Sequence, residues 1–199
     1  NVQRIAEPDR GASRIPAGAF ALFELGFRPF YFLAATYAGI GVLLWLAVHT
    51  GVFRMPLPIA PQWWHMHEMV FGFALAVVVG FLFTAVRNWT GRDTPRHGAL
   101  ARFVGLWIAA RVAFHAGLIA FGLAIELALL VLVAHALLQR LVAAGNRRNY
   151  FVGALFVALA LADLAFGAAV YGLAGFAADV PLRAALYLIV LLTGVLGGR

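Results

Sequence analysis

Residues 63–91 read WWHMHEMVFGFALAVVVGFLFTAVRNWTG. After Glu68 no charged residue occurs until Arg87. An apolar run of that length is what a bilayer asks of a helix, roughly 20 residues at 1.5 Å each. The Trp63–Trp64 pair at its head suits an aromatic belt at the membrane–water boundary. Pro61 suits the first turn of the same helix, where a missing N–H costs nothing.

The pattern repeats outward from this stretch. Apolar spans are predicted at about 29–48, 63–86, 100–117, 123–141, 150–171 and 181–196. The fold class that follows is all-α: a polytopic transmembrane bundle of about six helices over residues 29–199. A polar tail and an interfacial segment precede it at 1–28, the latter apolar but short and carrying Glu24. Between the third and fourth spans no charge marks the boundary, only glycines at 117 and 122. The chain starts at Asn1 and stops at Gly197-Gly198-Arg199 directly after an apolar run; both ends read as those of a fragment.

Composition agrees. The chain is 64% hydrophobic and 12% charged, with mean hydropathy +0.92, against about half and a quarter in soluble domains. With no cysteine, disulfides, thiolate metal sites, iron–sulfur clusters and thioether-linked haem are excluded. The net charge of +7 comes entirely from arginine, placed mostly in short loops between apolar runs. That placement is topological and argues for lipid rather than nucleic acid as the macromolecular surroundings. With the N-terminus cytoplasmic, twelve arginines fall on the inner side and two, Arg54 and Arg183, on the outer. The chain is expected to cross its membrane several times.

This topology sorts the histidines. His49 ends the first span, His65 and His67 begin the second and His115 ends the third, so all four are expected near the outer face. His135 falls toward the inner side and His97 in an inner loop. Residues two apart on a helix point about 200° apart, so His65 and His67 are expected to face different neighbours. His65 shares its face with Glu68 and Met69, and with a small-residue stripe through Gly72, Ala76 and Gly80. Neutral imidazole suits haem iron and copper in a thiol-free site, and Glu68 is spaced to orient a ring or to pass protons. The candidate metal ligands are therefore His49, His65, His67 and His115, with Glu68 as the candidate catalytic group. Arg111 and His115 share one helix face, and Arg111 and Asp163 lie within spans, where charge is paired or functional. The partner expected for Arg111 is Asp163 or a haem propionate, which would make Arg111 a cofactor-binding residue alongside His65, His67 and His115.

Two segments, LGFRPFYFLAA at 25–35 and the 63–91 stretch quoted above, resemble the NnrS family; RVAFH at 111–115 and the terminal GGR are compatible with it. The resemblance covers most of the chain and implies the N-terminal half of a twelve-helix membrane protein. It implies haem and copper as cofactors, nitric oxide as the small ligand and a role in denitrification or relief of nitrosative stress. By motif, His65, His67 and Glu68 carry over as metal-site residues, with either histidine as the axial ligand, and Arg28 and Pro29 as motif members. The leading reading is nitric oxide handling, reductase-like, with an electron donor as partner. A non-catalytic sensor and a transporter using Arg111 and Asp163 are the alternatives.

Overall fold

The computed structural model describes residues 21–55 and 57–197. The expected tail and the first part of the interfacial segment lie outside the described residues, as do the last two residues. Six long helices follow in order: α1 Phe27–His49, α2 Pro61–Thr90, α3 His97–His115, α4 Ile119–Ala143, α5 Phe151–Val170 and α6 Asp179–Gly197. Among the described residues there is no strand. All but α3 are long and apolar enough to cross a membrane; Arg102, Arg111 and two histidines lower the hydropathy of α3. The result is a helical membrane bundle.

Local chemistry sets the helix ends. Ala60 is extended (ψ 137°) and Pro61 opens α2. The unmarked boundary between α3 and α4 is a glycine stop. Gly117 takes φ +76°, its N–H bonds the carbonyl of Phe114, and the next N–H reaches back to Ala113. This pairing consumes the last carbonyls of α3 and requires the left-handed conformation that glycine adopts without strain. Arg28 donates to the Ala21 carbonyl at 2.9 Å, closing the turn before α1. Phe30, two residues on, is fully buried beside Phe83.

Short connections make α3 to α6 an antiparallel series, and α2 is the hub. It packs against α1, α3, α4 and α6, and touches α5 through His67. Of its most apolar window 67% is buried, against 17% for α1, so α1 presents most of its surface outward. Gly72, Ala76 and Gly80 all lie on the buried side of α2. From Glu68 to Ala74 the helix widens to a π-helix, a form that occurs mostly as single-turn bulges, often at functional sites.

Candidate functional site

The π segment opens where charge enters the bundle. His67 and Glu68 from α2, Arg111 from α3, Glu126 from α4 and Asp163 from α5 meet in one network, each at most 4% exposed. By helical rise the network lies about 10 Å inside the ends of α2 and α4 that face the 51–60 and 116–118 connections.

Glu68 is the hinge of the network. Its Oε1 accepts from His67 Nδ1–H at 3.1 Å and from Arg111 Nη1 at 2.8 Å, and its Oε2 accepts from the Tyr37 hydroxyl of α1. Receiving three donors is the role of an ionised carboxylate. Arg111 bridges from Glu68 to Glu126, donating to Glu126 Oε2 through Nη2. The other ring nitrogen of His67, Nε2, lies 3.0 Å from Asp163 Oδ1 and 3.6 Å from Glu126 Oε2. Phe114, Phe166 and Phe71 pack on the imidazole at 4.3, 4.7 and 5.0 Å between ring centres. Phe114 also lies under the Arg111 guanidinium at 5.2 Å. Trp107 Nε1 donates to the Gly72 carbonyl at 3.0 Å, giving a partner to a backbone group of the π segment. A methyl at Gly72 would stand 2.7 Å from the Tyr37 ring and 3.1 Å from Arg111 Nη1; only glycine lets both side chains reach Glu68.

The four candidate histidine ligands are divided among three surroundings. His67 is in the network. His65 stacks on Trp45 of α1 at 4.4 Å, and His49 stacks on the same indole at 5.0 Å. His115 donates Nδ1–H to the Arg111 carbonyl at 2.7 Å and sits edge-on to Trp64 and Tyr37. Glu68, expected to serve His65, bonds His67 instead: its backbone still closes a regular helical turn on Trp64 and His65, and its carboxylate is drawn to the donors of His67, Arg111 and Tyr37. Arg111 does not pair with Asp163: its terminal nitrogens go to Glu68 and Glu126, while Asp163 is engaged by His67. His97 lies at the opposite end of the bundle, 3.4 Å from Glu24, and His135 bonds Gln139 on the outer surface of α4.

Sequence reading missed Glu126 and Tyr37. Glu126 had a signal, since it is the one acidic residue in the apolar run from Ile119 to Leu138 and intramembrane carboxylates need partners. Tyr37 had none: its role depends on the packing of α1 against α2.

Among the described residues, His67, Glu126 and Asp163 form the group of His and acidic side chains whose donor atoms converge within 4.8 Å. The family described as NnrS protein matches residues 21–199. No curated protein and no solved structure matches the chain.

Proposed function

The chain belongs to the NnrS family, and from that premise we propose that it is a bacterial inner-membrane protein that handles nitric oxide, with haem and copper as cofactors. The observation that carries a chemical role is the buried network. Three carboxylates, a guanidinium and an imidazole are costly to place in an apolar bundle, and well-packed apolar side chains would hold the same helices at least as well. Intramembrane ionisable groups of this kind mark binding or proton movement.

The residues differ in their fit to the two cofactors. His67 does not fit haem: both its nitrogens face carboxylates, three phenyl rings pack on it, and it is fully buried. His65 and His49 fit an imidazole-bound iron or copper better. Neither ring makes a hydrogen bond among the described residues, and the Nδ1 of His65 is buried without a partner. Each would offer a metal one imidazole nitrogen, and a metal bound here would supply an open position for nitric oxide. The protein's own part is proton management. The Tyr37 hydroxyl donates to one oxygen of Glu68 and His67 Nδ1–H to the other, so a half-buried phenol connects through Glu68 to the imidazole. Arg111 fixes Glu68 within this route and Glu126 beside it. Reduction of nitric oxide also needs electrons, so the partner is an electron donor.

Arginine placement supports a cytoplasmic N-terminus. The loops at 91–96 and 144–146 meet at one end of the bundle, Arg92 donating to the Ala143 carbonyl at 2.8 Å, while Arg54, in the connection after α1, and Arg183, near the start of α6, belong to the other end. The test is purification from membranes, metal analysis, an absorption spectrum, and nitric oxide supplied with a reductant at an electrode. Haem absorption with nitric oxide consumption supports the reductase reading, and a spectral shift without consumption supports a sensor. Protein lacking both haem and copper overturns the proposal. His65→Ala should lower bound haem or copper, and His97→Ala should not.

A further inference from the structure

His67 stands between carboxylates at both ring nitrogens. Its Nδ1–H is committed to Glu68, an acceptor, which leaves the lone pair of a neutral ring on Nε2. That lone pair points toward Asp163 Oδ1 at 3.0 Å and Glu126 Oε2 at 3.6 Å. A lone pair and two anionic oxygens repel, so either a second ring proton or a metal cation must lie among them, and a proton alone still leaves the network one negative charge in excess. Formal charge says the same: Glu68, Glu126 and Asp163 outweigh Arg111 by two negative charges inside an apolar bundle. Glu126 adds an independent sign, for it is fully buried and its Oε1 has no hydrogen-bond partner.

We propose that His67 Nε2, Glu126 and Asp163 bind a divalent first-row metal ion. Their donor atoms lie within 4.8 Å of one another, a span one ion can bridge, and a charge of +2 brings the network to neutrality. One imidazole and two carboxylates form a nitrogen–oxygen set that suits Zn²⁺, Fe²⁺ or Mn²⁺ and not Cu⁺, which prefers sulfur donors. Glu68 is then a positioning residue, holding the ring by its far nitrogen as carboxylates do beside metal-bound histidines. Arg111 steadies Glu126 from the other side. This centre is separate from the His65–His49 pair and does not depend on nitric oxide as ligand.

The experiment uses the full chain, produced in medium supplemented with Co²⁺ and purified in detergent. The expected result is about one Co²⁺ per chain with visible ligand-field absorption, lost in His67→Ala and in Asp163→Asn. Asp163→His, which supplies a replacement donor, should restore the band and so separates loss of a ligand from loss of folding. Glu68→Gln should keep the site with affinity weakened about 10–100-fold. Monodisperse wild-type protein that takes up no Co²⁺ would show that a proton on Nε2 compensates the carboxylates, and overturns the proposal. Uptake that survives His67→Ala overturns it too. Nitric oxide consumption without metal at this site sinks this inference alone; metal here without any haem or copper sinks the previous reading alone.

Discussion

Two sets of ion pairs sit at different depths in this bundle, built from the same kinds of side chain. At the arginine-rich end, Arg87 and Arg96 reach Asp93 at 3.0 and 3.3 Å and Arg96 reaches Glu24 at 3.1 Å, with the Asp93 side chain 61% exposed. In the interior, Arg111 holds Glu68 and Glu126 with every partner at most 4% exposed. Exposed pairs contribute about 0–1 kcal/mol each, whereas removing one member of a buried pair costs about 3–5 kcal/mol by leaving the other charge uncompensated. Distance alone does not separate the two sets. Solvent does: Arg87 and Arg96 sit at the exposed end, where the proposed topology puts basic residues, while Arg111 is enclosed in the site.

The largest effect is expected at Arg111. Arg111→Met should lower the thermal unfolding midpoint in detergent by the equivalent of about 3–5 kcal/mol, or prevent recovery of monodisperse protein. Adding Glu68→Gln and Glu126→Gln to that variant should recover a large part of the loss, because the substitutions remove the stranded charges while keeping their shape. A midpoint unchanged by Arg111→Met would erase the distinction between the two regions.

Steric demand comes next. Gly72→Ala places a methyl 2.7 Å from the Tyr37 ring, and overpacking of this kind costs about 1–3 kcal/mol. The unfolding midpoint should fall and Tyr37→Ala should partly relieve it; no change would mean that the α1–α2 contact adapts freely. A smaller loss, about 1 kcal/mol, is expected for Trp107→Phe, which removes the indole donor to the Gly72 carbonyl while keeping an aromatic ring. The same unfolding measurement checks it, and a loss as large as that of Arg111→Met would make the π segment, not the charges, the support of the site.

These expectations show where sequence stops being sufficient. Hydropathy makes five of the six helices legible, because lipid imposes length and apolarity on each span separately. Arg111 and Asp163 stand out for the same reason, as charges in apolar runs. Their pairing does not, since it is set by how α3, α4 and α5 rotate about α2. Glu68 adds a second break: its carboxylate is drawn to His67, Arg111 and Tyr37, partners that spacing along α2 does not reveal, and no residue in EMVFGFA announces the π turn that starts there. Glu126 was readable and overlooked, while Tyr37 looks from sequence like any aromatic on an apolar helix.

The smallest effect is expected at Asp93. Asp93→Asn removes the charge facing Arg87 and Arg96 but keeps an acceptor oxygen at the same place. The loop has other fastenings that the substitution leaves alone: Arg140 donates to the Asp93 carbonyl at 3.2 Å, Arg92 to that of Ala143 and Asn146 to that of Trp89, all backbone acceptors. The lost term is Coulombic and in contact with water, so it is screened by salt over about 8–10 Å. The midpoint should move by less than about 1 kcal/mol, and less at high ionic strength than at low. Arg87→Ala should likewise spare the midpoint, its role being topological, and reporter fusions at the 91–96 loop would read any change in orientation. A salt-independent loss at Asp93 approaching that of Arg111→Met would mean that the outer pairs support the fold as the inner ones do, and that depth is not what distinguishes them.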